Sequence, residues 1–571
     1  MISRRASGFA LLASALAFAL SVALASPTLA VAASWPVGVT RVAMDATRVV
    51  GPGVYGEAVA GAKAAYPEWG HVSDVVIASG ETGALSDAAA ASSLCWAYDA
   101  PLLLTSRSSL PQVTRDALAE IISANPTVTV HVVGSVSAIP AGRVAQIASV
   151  VGTAAVERPW PAADKYSLAA GIAARVREVA AQTGATIPSA ALVVDGSSTS
   201  HLWDAAAAAS VARHTGVPLL YAGRGQVPAS TAAALSAAGT PEVVVVGGTG
   251  AVSSAMYAKL RASERWSGNS RASTAASVAR RGAARGWISL SQVALASTVS
   301  NAIVGGSLAG SRGGAVLVTD VARLAHTSWS LLAEHASELS TGYAVGGDSV
   351  DGAQLSELRG GPSRPWFTSG SPGRYVGRRA TLAGGVGGNV TTVAVFVGGK
   401  KARSVDVKPW GRFNISSVAM PGSSGKVSVV ASNPDGGDST VSRTVHRLKY
   451  PYPTCIVIDK SQFKLYWVKN NRLVRAFPIA VGRLGMETPP ATWKILAKYH
   501  TSPGSVYGPR KMRLFRHRGG RWVFSRYGIH GTNQPWVIGS KASHGCIRMY
   551  NRDVLKLFPL VKLGTIVVTR E

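Results

Sequence analysis

The chain has 571 residues, of which 47% are hydrophobic, 15% charged and 7% aromatic, with 61 glycines; at ordinary domain sizes this excludes one compact fold and predicts about three to five domains. A mean hydropathy of +0.20, with no dominant Gly/Ser or acidic tract, excludes a wholly disordered or collagen-like chain. The net charge of +29 is uneven: residues 1–365 carry 25 basic and 22 acidic side chains, 366–449 carry 12 and 3, and 450–571 carry 21 and 4, so the C-terminal end is the part expected to face an anion.

The N-terminus reads Met1-Ile-Ser-Arg4-Arg5, then an apolar run from Phe9 to Ala25, then Ala30-Val31-Ala32 as an A-x-A cleavage site. These are the three zones of a secretory signal over residues 1–32, with a retained anchor as the alternative reading. No other segment has 18 uninterrupted apolar residues, so the mature protein is expected to be secreted to the wall with no transmembrane segment after signal cleavage. Three cysteines cannot build a disulfide framework in such a chain. Cys95 and Cys455 sit in apolar runs and read as buried small hydrophobes, whereas Cys546, beside His544, Gly545 and Arg548, is expected to have a lowered thiol pKa.

Between residues 41 and 358 a unit of roughly 100 residues recurs three times, at 41–152, 158–262 and 265–358. Each begins with an apolar strand, a small-residue turn and an Ala-rich helix: Val75-Val-Ile-Ala-Ser-Gly80 into Asp87-Ala88, Leu192-Val-Val-Asp195-Gly196 into Asp204-Ala205, and Val293-Ala-Leu-Ala-Ser297 into Asn301-Ala302. A short strand follows (Pro101–Thr105, Pro218–Tyr221, Ala315–Thr319), then another that ends in glycine at Gly134, Gly247 or Gly346. Continuous apolar strands alternating with helices imply small α/β layers with parallel sheets covered on both faces. The units resemble the cell-wall-binding repeats found in triplets on Gram-positive surface proteins. That resemblance implies noncovalent attachment to an anionic secondary cell-wall polymer. Asp87 and Asp204 are open to two readings, a first-turn acid favoured by the helix dipole or a ligand contact, and Asn301 departs from the pattern.

After the linker Arg359–Pro365 the composition turns to Gly, Val, Thr and Ser in short alternating runs, which predicts a β-sandwich over 366–447 that resembles the Ig-like spacers of wall proteins. From 450 to 571 the chain is strand-dense and predicts a β-rich domain with one helix from Asn551 to Phe558. Within it lies Tyr527-Gly-Ile-His530-Gly531-Thr532 and then Ser543-His544-Gly545-Cys546-Ile-Arg548, with Cys546 16 residues after His530. A nucleophilic cysteine needs a base, a group that orients the base and amide donors for the oxyanion. His530 can be the base, with the Gly531 carbonyl fixing its tautomer, because the domain holds only Asp459, Glu487, Asp553 and Glu571 as acids. Gly545 allows the amides of His544, Gly545 and Cys546 to converge. His544 is an alternative base or a substrate contact, and Arg548 can order the loop or pair with a substrate carboxylate. The same residues allow two other readings, zinc ligation by His530, His544 and Cys546 without an evident fourth ligand, or an inert core thiol.

The His-Gly followed by Ser-His-Gly-Cys and Arg, with Thr488-Pro489 upstream, resembles the L,D-transpeptidase catalytic domain; Pro490-Ala491 stands where that family often has glycine. The resemblance implies a cysteine-dependent acyltransferase that cuts the bond between the third and fourth residues of a peptidoglycan stem and forms 3→3 cross-links. It implies Cys546, His530, Gly531, His544 and Gly545 as catalytic positions and Ser543, Arg548, Tyr527 and Thr532 as substrate contacts. No metal, cofactor or nucleic acid is called for. The alternative is a wall-binding surface protein whose C-terminal domain hydrolyses stems as an L,D-carboxypeptidase or holds them without turnover.

Overall fold

In the computed structural model the apolar runs of the first 360 residues form three four-stranded sheets, each wholly parallel. The structure describes residues 35–571 except 153–154, 162, 240, 321–322, 348–351 and 369–374, so the expected signal segment 1–32 lies outside the described residues. Among the described residues no helix is long and apolar enough to cross a membrane.

The first sheet runs Leu102–Thr105, Asp74–Ser79, Thr129–Val133, Val156–Glu157, and the second Leu219–Ala222, Ala190–Asp195, Glu242–Val246, Glu264–Trp266. In both, the fourth strand is the segment that leads into the following unit. The third sheet, Ala315–Val318, Gln292–Ala296, Thr341–Val345, has no following unit and takes its fourth strand from Asp45–Val49, with Asp45 opposite Thr341 and Val49 opposite Val345. The strand Asp45–Val49, at the start of the first unit of 41–152, thus completes the sheet of the third, and the three units close into a ring.

Three helices, Leu85–Ala97, Leu202–Thr215 and Val299–Ser311, pack on one another at the centre of that ring. Their alanines favour a helix, and their alanines, serines and glycines together permit close approach. At Gly310 an added Cβ would lie 2.5 Å from the Ser210 carbonyl oxygen, so only glycine fits there. One apolar core runs through all three units, since Ala88, Ala206 and Ile303 belong to the same buried cluster.

Residues 366–447 form two facing sheets, of three and five strands, around a core that includes Leu382, Val393, Val395, Phe413, Ile415, Val427 and Val429. This sandwich is docked on the ring. Asn389, fully buried, accepts from the Val42 amide (3.0 Å) and donates to the carbonyls of Val42 (2.8 Å) and Glu357 (3.1 Å), and Asn433 donates to Gly360 (2.8 Å).

The C-terminal strands close on themselves in the order Cys455–Asp459, Ile566–Arg570, Ala491–His500, Arg510–Arg518, Arg521–His530, Ile547–Met549, Arg472–Gly482, Lys464–Lys469 and back to Cys455–Asp459. Ile456, Ile458, Trp493, Ile495, Met512, Leu514, Ile529, Ile547 and Met549 fill the interior, and the helix Asn551–Leu557 adds Val554 and Leu557. The three central strands Arg510–Arg518, Arg521–His530 and Ile547–Met549 carry the site.

Candidate active site

His530 is the last residue of its strand and pairs with Lys511 on one side and Arg548 on the other. Ile529 pairs with Ile547, which sets Cys546 beside Gly528, two residues along the strand from His530. Side chains directly opposite in register share a face. Lys511, His530 and Arg548 therefore form one row on the sheet, and Arg513, Gly528 and Cys546 form the next.

His530 is buried, at 3% exposure, and its Nδ1 donates to the Gly531 carbonyl oxygen at 2.5 Å, which leaves Nε2 as a lone-pair acceptor. Burial pushes the imidazole pKa down to about 4, the Gly531 carbonyl opposes the shift, and Lys511, Arg548 and Arg513 add to it. The imidazole is neutral at pH 7. Gly531 is boxed in by Asn551 and Pro509, and Asn551 also accepts from the Thr532 amide at 2.8 Å, so the start of the last helix braces the histidine turn.

Cys546 is half-buried, and its thiol faces the Gly528 backbone with the Arg526 carbonyl 3.7 Å away. The expected lowering of its pKa is corrected in direction: desolvation raises it, while the Gly528 backbone and the charges of Lys511, Arg513 and Arg548 pull it back only in part. Thiol and imidazole rest as an uncharged pair. The other two cysteines are buried and their thiols are pushed up further, Cys95 to about 12 and Cys455 to about 11.

The loop ahead of the cysteine is held by its own hydroxyl. Ser543 is fully buried; its Oγ donates to the Cys546 carbonyl (2.6 Å) and accepts from the Gly545 amide (3.0 Å). Ser543 thus braces the loop from within, and the Gly545 amide is taken up by its hydroxyl. Gly545 has φ +107°, and a Cβ there would lie 2.6 Å from the Tyr527 ring. Its carbonyl accepts from Thr488 Oγ1 at 2.8 Å, and that hydroxyl accepts from the Gly482 amide at 3.2 Å, tying the loop to the neighbouring strand.

Of the remaining expected contacts, His544 is exposed, and Tyr527 lies against Gly545 with its ring edge-on to Trp493 at 5.3 Å. Arg548 donates to Gln534 at 2.8 Å, and its Nε is buried without a partner. Thr532 is buried and its hydroxyl accepts from the Gln534 amide at 3.0 Å, so it shapes the turn after His530. Two residues absent from the expected site join it: Lys511, at 6% exposure, and Tyr507, whose ring lies 3.2 Å under the Lys511 ammonium and 5.1 Å edge-on from His530. Pairing of the 510–518 and 521–530 runs as a hairpin was the signal that could have found Lys511. Among the described residues no three His, Cys, Asp or Glu side chains gather as a metal site.

Residues 453–569 match the L,D-transpeptidase catalytic domain, and residues 48–144, 161–257 and 265–354 match cell wall binding domain 2. A Bacillus licheniformis protein bearing the name L,D-transpeptidase YkuD is 38% identical over 115 residues, 20% of this chain and 63% of its own length. The Bacillus subtilis N-acetylmuramoyl-L-alanine amidase LytC is 32% identical over 235 residues, 41% of this chain and 42% of its own. The matches thus span under two thirds of either relative. Cwp6 from Clostridium difficile aligns with TM-score 0.47 and 23% identity over 56% of this chain and 48% of its own.

Proposed function

We propose that this chain, which carries an L,D-transpeptidase catalytic domain at 453–569 behind three cell wall binding repeats, is an exported, wall-held acyltransferase acting on peptidoglycan stem tetrapeptides through a thioester on Cys546. One observation carries the reading: a neutral His530, its Nδ1 committed to Gly531, stands two residues along the strand from a half-buried thiol. Both groups rest uncharged, so the proton moves once substrate is in place. Nε2 of His530 takes the thiol proton as Sγ bonds to the carbonyl carbon of the third stem residue. The amides of His544 and Cys546 meet the oxyanion, in a loop whose shape Ser543 and Gly545 maintain. The C–N bond then breaks as the imidazolium gives its proton to the departing D-alanine amine, and the thioester remains. An acceptor amine adds to the thioester carbonyl, gives up a proton to His530 and expels the thiolate, which is reprotonated from the imidazolium. An amine from the third residue of another stem yields the 3→3 cross-link, and the repeats hold the enzyme on an anionic wall polymer.

The test is incubation of the full chain with a tetrapeptide stem, with and without an acceptor stem, followed by mass spectrometry. Expected are free D-alanine and a cross-linked dimer from the wild type and neither from Cys546→Ala. D-Alanine without dimer assigns water as acceptor, and undiminished release from Cys546→Ala sinks the thioester route.

A further inference from the structure

The face that carries Cys546 and His530 does not end with them. Met512 and Leu514 point into the barrel core, so Lys511, Arg513, Phe515 and His517 share the opposite side of their strand. Across the hairpin they pair with His530, Gly528, Phe524 and Trp522 respectively. Extra residues between Phe524 and Gly528 are taken up opposite Leu514, which keeps both ends of the hairpin in phase. Beyond the histidine row and the cysteine row there follow two aromatic rows, Phe515 with Phe524 edge-to-face at 5.8 Å and His517 with Trp522 at 5.2 Å. The Arg513 guanidinium lies 4.7 Å over Phe524 and the Lys494 ammonium 4.5 Å over Trp522. Phe524 is 63% exposed, so its phenyl ring presents apolar surface to solvent beside the site.

The order of the rows gives the stem a direction. The leaving amine must sit at His530 and the acyl carbonyl at Cys546, so the rest of the donor runs from Cys546 away from His530, towards Phe524 and Trp522. The two remaining stem residues and their link to the glycan reach about 10 Å when extended. The four strand residues from Gly528 to Phe524 cover at most about 13 Å. What arrives over the aromatic rows is the sugar.

We infer that Phe515, Phe524, His517 and Trp522 form a saccharide subsite that holds the amino sugar from which the donor stem hangs. The apolar C–H face of a pyranose stacks on the rings while its hydroxyl and acetamido groups stay in water, and the two cations close the sides. The inference rests on the acyl-transfer reading above.

Two donors separate the possibilities: a free tetrapeptide, and the same tetrapeptide attached to its amino sugar, each given to the full chain. The wild type is expected to show a KM roughly tenfold lower for the sugar-bearing donor, with similar kcat. Phe524→Ser should bring the ratio of the two KM values to about one, whereas Phe524→Tyr, which keeps the ring, should preserve it. The ratio is internal to each variant, so a reduced active fraction cancels. Equal KM values in the wild type, or a ratio unchanged in Phe524→Ser, overturns the subsite. If the wild type turns over neither donor, the acyl-transfer reading falls and the subsite with it.

Discussion

His530 and the acids Asp87 and Asp204 are all buried titratable groups, and burial drives their stability contributions in opposite directions with pH. His530 titrates at about 4 in the fold and near 6.5 when unfolded, so the unfolded chain binds more protons between those values. The catalytic domain should lose up to about 3 kcal/mol as pH falls from 6.5 to 4. Asp87 and Asp204 are raised to about 6, chiefly by desolvation, so there the folded state binds the extra proton and the repeats gain stability as pH falls through 6. Calorimetry of the full chain at pH 7 and pH 5 is expected to show two transitions moving apart, the catalytic one down and the repeat one up; movement in the same direction would refute the assignment. The same neutrality of His530 predicts that kcat/KM is retained at pH 6 and declines only towards pH 4. His530→Ala should cost at least about 10²-fold at any pH.

At the level of elements, the loop before Cys546 and the first strand of the chain each depend on one feature. Gly545→Ala places a Cβ 2.6 Å from the Tyr527 ring on a backbone with φ +107°. Rotating that peptide moves the cysteine, and a loss of about 10²-fold in kcat is expected, with about 1–3 kcal/mol of strain seen in thermal melts. Wild-type activity in this variant would mean that the loop tolerates another path. Deleting Asp45–Val49 strips Thr341–Val345 of a neighbour; faster amide exchange there, with Asp74–Ser79 still protected, is the expected outcome. Much of this level could be read in the residues themselves: the three strand-turn-helix units, the sandwich and the His530…Cys546 spacing all rest on local patterns. The strand at Asp45–Val49 could not, because its partner is nearly 300 residues away and nothing in its composition names it. For the same reason the partners of the Ser543 and Thr532 hydroxyls, in the loop before Cys546 and the turn after His530, could not be read: a hydroxyl's partner is set by the fold around it.

For the molecule as a whole, the candidate site lies wholly within 450–571, whose barrel has its own core, and the match to the cell wall binding repeats ends at 354. Full chain and a form lacking residues 45–358 are therefore expected to differ in pull-down on isolated walls, with the shorter form mostly unbound; equal retention would show that the repeats do not anchor the protein. The closed ring also bears on how such an anchor carries load. The side chain of Asn389 grips Val42 at the entry to the ring and Glu357 at its exit, and the entering strand lies parallel to Thr341–Val345. A pull on the C-terminal domain therefore reaches both ends of the ring together. It is shared between the first and third units, so a tug that would unravel an open row of repeats from its last member meets a buckle.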